Sequence, residues 1–315
     1  MYQQPLKKSR TTGITGLLLA VILLAGCSKR PSDVTDPSVS ASYNINEILS
    51  KGKPGSPVTP ALNKPLGTWW WTVNKKDWDT YLNFAWQNGV SEIYFYTTDF
   101  SGTTGYFIEK AGNKGIRVFL LAGSYQWIND RTGFTALMSR YTQYQNSAGS
   151  GQRFSGIHLD VEPHQDPEFQ QRRAGILQQY IDFVVWVSSQ YPLAGNIDFD
   201  IPFWLDDMVM YKGAQSRLYE AVINEATRVF IMSYRDTAAK MYEVSKEEIA
   251  FATLKNKQIF LGAETAPSGE GDIVSYVEEG KAYMYNEFQQ LATLCGDANY
   301  GLSVHHIKSW YNMKK

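Results

Sequence analysis

Short apolar runs alternate with longer segments of helical spacing over most of the chain. Eight runs are rich in β-branched and aromatic residues, which is typical of strands. These runs are Leu66–Val73, Glu92–Thr98, Ile116–Gly123, Gly156–Glu162, Asn196–Trp204, Arg228–Tyr234, Gln258–Ala263 and Gly301–Ile307. Between them, apolar residues recur roughly every three or four positions, which is the helical period. The clearest helical segments are Asp77–Gln87, Arg131–Tyr144, Pro167–Tyr191, Gln215–Ala226, Glu243–Leu254 and Ser275–Leu294.

Strands that alternate with helices predict βαβ units and a parallel sheet. Eight units in about 250 residues match a TIM barrel, so we predict a single (β/α)8 barrel of the α/β class over residues 66–315. The last run leaves only Lys308–Lys315 behind it, which predicts that a full final helix is missing. A doubly wound sheet is disfavoured because the first run contains Trp69-Trp70-Trp71 and no glycine-rich phosphate turn.

The N-terminal residues have the pattern of a targeting segment. Lys7, Lys8 and Arg10 precede an apolar stretch from residue 14 to 24, and Leu-Ala-Gly-Cys then ends at Cys27. The stretch is shorter than the about 20 apolar residues that span a membrane. The pattern resembles a bacterial lipoprotein signal, which implies removal of residues 1–26 and acylation of Cys27, for example by palmitate. Prolines among polar residues predict a flexible membrane tether over 27–65, so we expect a lipid-anchored protein that faces the periplasm or the cell surface.

Composition narrows the function classes. With 14% aromatic residues and a formal net charge of −1, the chain is neither disordered nor basic, so a nucleic-acid partner is not expected. Two cysteines cannot form a disulfide scaffold, and with Cys27 acylated, Cys295 is predicted to be a buried free thiol. The 9 Trp and 20 Tyr are many for a chain in which only 19% of the residues are charged. This content indicates an aromatic core or an aromatic binding surface.

Side-chain alternation along the strands gathers acidic residues inside the predicted barrel. The inward positions of the fourth and fifth runs are His158, Asp160, Glu162, Asp198 and Asp200, and Glu264 follows the seventh run. Catalytic groups of TIM barrels lie at the C-terminal ends of the strands, so these carboxyls are expected to line the mouth. Crowded carboxylates repel one another, which favours a neutral form for at least one of them, as a general acid requires. The alternative is a structural role, in which Arg117, Arg228 or backbone amides satisfy the carboxylates.

Two motifs resemble those of family 18 glycoside hydrolases, the chitinase-like barrels. Residues 154–162, Phe-Ser-Gly-Ile-His-Leu-Asp-Val-Glu, resemble the family's strand-four motif D-G-x-D-x-D-x-E, and Met232-Ser233-Tyr234 resembles its strand-six motif M-x-Y-D. The resemblance implies that Glu162 protonates the glycosidic oxygen and that Asp160 orients the acetamido group of the substrate. It also implies that Tyr234 hydrogen-bonds this group as it attacks the anomeric carbon. Such substrate-assisted hydrolysis is an exception to the two-carboxylate rule.

The motifs also depart from the family pattern. Ser155 and His158 stand at the first two aspartates of the strand-four motif, and Arg235 stands at the aspartate of the strand-six motif. These changes leave open an altered specificity or a surface lipoprotein that binds carbohydrate without cutting it. A second glycosidase mechanism also stays open, in which Glu162 and Glu264 act as a retaining pair with carboxyls about 5–5.5 Å apart.

The remaining candidates are binding residues. His158, Asp200 and His305 are expected to contact a polysaccharide or glycan inside the mouth. Flat aromatic rings stack on sugars, and the tryptophans predicted near the mouth are Trp69, Trp70, Trp71, Trp127, Trp204 and Trp310. A metal-dependent hydrolase is disfavoured because no H-E-x-x-H or H-x-H motif occurs. We therefore expect neither a metal nor a cofactor.

Overall fold

The computed structural model describes residues 62–191 and 196–314. The predicted signal segment, Cys27 and the tether up to residue 61 lie outside the described residues. Within the described part, no helix has both the length and the apolar character needed to cross a membrane.

Eight parallel strands form a closed barrel, which confirms the predicted fold class. In chain order the strands are β1 (Leu66–Trp70), β2 (Glu92–Tyr96), β3 (Arg117–Ala122), β4 (Gly156–Leu159), β5 (Asn196–Pro202), β6 (Met208–Tyr211), β7 (Ala214–Arg217), β8 (Arg228–Met232), β9 (Gln258–Glu264) and β10 (Tyr300–His305). β6 and β7 form a separate antiparallel hairpin, and the other strands follow chain order around the barrel until β10 pairs with β1.

Helices connect the barrel strands. They are α1 (Trp78–Gln87), α2 (Gly102–Gly112), α3 (Thr132–Ser147), α4 (Phe169–Gln190), α5 (Leu218–Glu225), α6 (Ala238–Leu254), α7 (Lys281–Cys295) and α8 (Ile307–Asn312). The short α8 agrees with the predicted lack of a full final helix. No predicted helix corresponds to α2, because its first turn consists of Gly and Thr, which are poor helix formers; the Ser101 side chain caps this turn. The predicted helix over 215–226 is shorter, because its first three residues belong to β7.

The strands separate two apolar regions, as the predicted alternation requires. Ile157, Leu159 and Val161 pack outward against the helices. A second cluster fills the barrel interior with Trp69, Tyr94, Phe119, Leu121, Phe230 and Phe260. Cys295 is buried and free, as predicted, and burial raises the pKa of its thiol to about 11.

An ionic cluster fills the N-terminal end of the barrel. Arg228, the first residue of β8, donates to both carboxylate oxygens of Glu92 at 2.8 Å and to Asp198 at 2.5 and 3.0 Å. Arg117 also pairs with Glu92, at its Oε1 atom. The placement of Asp198 at the mouth is therefore wrong: Asp198 pairs in register with Arg228 and serves the structural role considered as its alternative.

Candidate active site

The C-terminal end of β4 carries two carboxyls. Asp160 and Glu162 follow the strand at alternate positions, beyond the lumen-facing His158. The Glu162 side chain is 18% exposed, and its Oε2 accepts a hydrogen bond from the Gln165 amide. His164 Nε2 lies 3.6 Å from the same oxygen. Burial lowers the pKa of His164, so this neighbour is a neutral ring. Glu162 thus lies at the mouth with one oxygen held and no cation bonded to it among the described residues.

Asp200 on β5 is held from two sides. His158 Nε2 lies 2.7 Å from Asp200 Oδ2, and Trp69 Nε1 donates to the same oxygen at 3.2 Å. His158 is fully buried and stacks on the Tyr94 ring at 4.1 Å between centroids. Burial lowers the pKa of His158 to about 3, so the imidazole is neutral at physiological pH. His158 and Trp69 therefore orient Asp200 without supplying a positive charge.

Asp160 and Asp200 are neighbours across β4 and β5. Leu159 pairs with Phe199, so the next position in register sets Asp160 beside Asp200. The Oδ1 atoms of both aspartates are buried and have no hydrogen-bond partner among the described residues. Burial raises the pKa of each carboxyl well above its usual range, and the nearby Glu162 carboxyl raises both further.

Both carboxylate oxygens of Glu264, at the end of β9, accept hydrogen bonds. Its Oε1 accepts hydrogen bonds at 2.7 Å from the backbone N–H groups of Thr265 and Ala266. Its Oε2 lies 2.8 Å from His305 Nδ1, and Trp71 Nε1 donates to the other ring nitrogen of His305 at 3.1 Å. This arrangement assigns the hydrogen of a neutral His305 to Nδ1. Burial alone would lower the pKa of His305, but the Glu264 carboxylate outweighs it and raises the pKa overall.

Tyr234 follows β8 and faces the same space, with its ring 6.0 Å from that of His305. Burial raises the pKa of its phenol well above the usual value, and Glu264, Asp200, Asp160 and Glu162 add to this effect. The phenol therefore stays protonated and can donate a hydrogen bond. Gly262 makes room for it, since a Cβ at this position would lie 3.2 Å from the Tyr234 ring and 3.0 Å from the Ile231 carbonyl.

The tryptophans divide between the mouth and the core. Trp71 is half-buried at the mouth and lines, with Tyr96, an open cavity of about 280 Å³. Trp204 is also half-buried and packs edge-on against His164 at 5.2 Å. Trp69 lies inside the lumen, where its ring packs in the aromatic cluster and its N–H donates to Asp200.

Three of the tryptophans predicted near the mouth lie elsewhere. Trp70 and Trp310 are fully buried on the outer side of the barrel, so their placement at the mouth is wrong. Trp310 belongs to α8 rather than to a strand end, and it packs on Phe84 of α1. Trp127 packs on Phe134 of α3 in the same outer region.

Some contacts were not foreseen in the sequence. Gln165 has no signal in the pattern, and although backbone amides were expected as possible partners of the carboxyls, the pattern does not indicate that those of Thr265 and Ala266 bind Glu264, because these contacts depend on local loop geometry. Tyr94 was hidden in an apolar strand. Among the described residues, no three His, Cys, Asp or Glu side chains are arranged to hold a metal ion.

The barrel is similar to solved chitinase structures. A chitinase from Bacteroides thetaiotaomicron has a TM-score of 0.51 at 10% identity, over 78% of this chain and 90% of that chain. A mutant class V chitinase from Cycas revoluta in complex with (GlcNAc)3 has a TM-score of 0.48 at 9% identity, over 78% and 95%.

A further match is the C-terminal domain of a putative chitinase from Desulfitobacterium hafniense, with a TM-score of 0.44 at 10% identity, over 63% of this chain and 66% of that chain. No protein-family profile and no curated protein matches the sequence. The chain thus shares the closed eight-stranded parallel barrel of chitinase-like glycoside hydrolases.

Proposed function

We propose that this chain is an extracytoplasmic glycoside hydrolase-like protein that cleaves a glycan with acetamido sugars, using Glu162 as general acid. The observation that carries the proposal is the alternation of Asp160 and Glu162 at the end of β4, with the protonated Tyr234 phenol in electrostatic contact with both. We expect these two carboxyls and the phenol to reach a single sugar ring that is bound at the mouth.

The hydrogen bonds of Glu264 favour substrate assistance over a retaining pair. A carboxylate nucleophile needs an oxygen free to approach the anomeric carbon. Both oxygens of Glu264 already accept hydrogen bonds, from two backbone amides and from His305. Glu264 is better suited to fix His305, and through His305 the indole of Trp71. The nucleophile would then be the acetamido oxygen of the substrate.

The chemistry divides among three side chains. Glu162 gives its proton to the glycosidic oxygen, which leaves with the electron pair of the broken bond. The acetamido oxygen forms a bond to the anomeric carbon, while the Asp160 carboxylate accepts the acetamido N–H and stabilises the positive charge that develops there. Tyr234 donates to the acetamido oxygen and holds it for attack. Water then attacks the anomeric carbon and gives a proton to the Glu162 carboxylate, while the bond between the anomeric carbon and the acetamido oxygen breaks and its electron pair returns to the acetamido group.

A substrate panel tests this mechanism against the retaining pair. We expect the wild-type protein to release aryl leaving groups from N-acetylglucosaminides and to leave the matching glucosides intact, because glucosides lack the internal nucleophile. Glu264→Gln should retain hydrolysis with an effect mainly on KM, since Glu264 acts through His305 and Trp71. Cleavage of glucosides that is abolished by Glu264→Gln would instead establish the retaining pair. Sugar binding without cleavage of any substrate would leave the carbohydrate-binding alternative.

We also propose that Cys27 anchors the protein to a membrane by lipid, on the basis of the N-terminal pattern. In cells fed labelled palmitate, the full-length protein should carry the label and sediment with membranes. Cys27→Ala should lose both properties, whereas Cys295→Ala should keep them because Cys295 is buried. Label retained in Cys27→Ala would disprove the anchor.

A further inference from the structure

Two carboxyl oxygens in the interior of the barrel are buried without a hydrogen-bond partner among the described residues. They are Asp160 Oδ1 and Asp200 Oδ1, and Asp200 is 1% exposed. Buried polar atoms without partners are costly, so native structures rarely leave them so. Asp200 lies on β5 and Asp160 directly follows β4, and the register of these two neighbouring strands, whose backbones are about 4.8 Å apart, sets the two residues side by side on the lumen side. Each unpartnered Oδ1 therefore belongs to an aspartate whose neighbour across the strand pair is the other aspartate, and the Asp200 carboxyl acts electrostatically on Asp160.

Two carboxylates cannot satisfy each other, because both are acceptors. A single proton between them changes this: one carboxyl becomes a donor and the other stays an acceptor. We propose that Asp160 and Asp200 share one proton between their Oδ1 atoms at neutral pH, and that Asp200 is thereby a positioning residue for Asp160. The kinetic part of this inference rests on the proposed function, whereas the shared proton itself does not.

The surroundings of Asp200 explain why the pair forms with this orientation. Its Oδ2 is held by His158 at 2.7 Å and by Trp69 at 3.2 Å, which leaves Oδ1 as the free atom. His158 is itself fixed by burial and by stacking on Tyr94. By binding Oδ2 of Asp200, His158 on β4 thus orients this carboxyl so that Oδ1 is available to Asp160.

The shared proton also suits the chemistry. When an acetamido N–H arrives, Asp160 must accept it and therefore must be a carboxylate. The proton then moves from Asp160 Oδ1 to Asp200 Oδ1, so the pair keeps one negative charge throughout and no proton has to leave for solvent. Asp160 becomes an acceptor only when a donor is present to occupy it.

Other titratable groups face the pair and enter its titration. Glu162, Asp198 and His158 come from the same two strands, Glu264 and His305 from β9 and β10, and Tyr234 and Tyr180 from beyond β8 and from α4. Glu162 opposes a second negative charge, while His305 favours one. The experiment must therefore compare variants at single positions and not rely on the wild-type curve alone.

Carboxyl 13C NMR of aspartate-labelled protein, titrated from about pH 4 to about pH 9, measures the shared proton without any need for activity. We expect one aspartate carboxyl of the wild type to titrate far above the ordinary range. In Asp200→Asn, Asp160 should bind its proton at least about tenfold more weakly, because no second carboxylate retains it. Asp160→Asn should abolish the same high-pH step, whereas exposed Asp182→Asn should preserve it.

The pH dependence of folding provides a second measurement. A pKa raised in the folded state means that the native protein binds the proton more tightly than the unfolded chain, so stability falls as pH rises towards the raised pKa. The buried His158 works in the opposite direction, but only below about pH 6.5. Above that pH, the wild-type folding constant should fall by up to about tenfold per pH unit, and this slope should flatten in Asp200→Asn.

Two results would overturn the shared proton. One is a high-pH aspartate step that persists unchanged in Asp200→Asn, since Asp160 would then hold its proton alone. The other is an ordinary aspartate titration throughout the wild type. If Asp200→Asn fails to fold, the carboxyl titration can still be compared between the wild type and Asp160→Asn, since Asp160 is the less buried residue of the pair. Inactivity on every glycan would contradict the proposed function but would leave the NMR result as it stands.

Discussion

Replacement of Glu162 by Gln is expected to lower kcat by about 10²–10⁴-fold with little change in substrate affinity, because the amide cannot donate the proton that the leaving oxygen needs. Gln keeps the shape of the side chain and can still contact Gln165. The comparison is best made with steady-state kinetics on an aryl N-acetylglucosaminide and on a natural oligosaccharide. An aryl group with a good leaving oxygen needs less help from an acid. The decrease in kcat should therefore be smaller on the aryl substrate than on the oligosaccharide.

Two further variants serve as controls for the effect of Glu162→Gln on activity. Glu168→Gln changes an exposed glutamate that precedes α4 and pairs with Arg172 of this helix, and it should retain full activity. Trp71→Ala removes a ring at the mouth and should raise KM more than it lowers kcat. Wild-type rates in Glu162→Gln would show that Glu162 is not the acid.

Replacement of Arg228 by Met is expected to destabilise the fold by about 3–5 kcal/mol, the largest effect on stability that we predict. The guanidinium neutralises Glu92 and Asp198, which are both fully buried. Without Arg228 the two carboxylates lie in a low-dielectric interior, where Arg117 still pairs with Glu92 but Asp198 loses its bidentate partner. Urea unfolding at neutral pH measures the loss directly.

A matched arginine separates the buried network from charge removal in general. Arg172→Met breaks an exposed pair with Glu168 and should cost less than about 1 kcal/mol. Arg228→Lys keeps the charge but loses the bidentate geometry, so its cost should fall between the two. An Arg228→Met protein as stable as Arg172→Met would mean that the carboxylates take up protons or water at no cost.

Most of the fold could be predicted from the sequence because its repeat is local. The strands of a barrel are buried on both sides, and their apolar runs stand out against amphipathic helices. Alternation within a single strand then separated His158 from Ile157 and Leu159 correctly. The α2 helix was missed because its first turn lacks helix-forming residues, although its later residues pack well.

The site was less accessible to sequence because position along the barrel axis depends on register. Asp198 and Asp200 are equivalent by alternation, yet β5 pairs Asp198 with the first residue of β8 and so assigns it to the far end of the barrel. The contacts among Glu264, His305 and Trp71 join β9, β10 and the residue after β1, which meet only because the barrel closes. No local pattern could have revealed them.

The ionic cluster at the N-terminal end has a kinetic consequence. Glu92, Asp198 and Arg228 are at most 5% exposed, and aromatic rings fill the interior above them, so the interior of the barrel is a packed core that is closed at its N-terminal end. Anything that enters must leave in the direction from which it came. In the proposed hydrolysis, substrate, water and both products would therefore all pass through the same mouth at the C-terminal ends of the strands, so a bound product would compete with the next substrate for this one entrance.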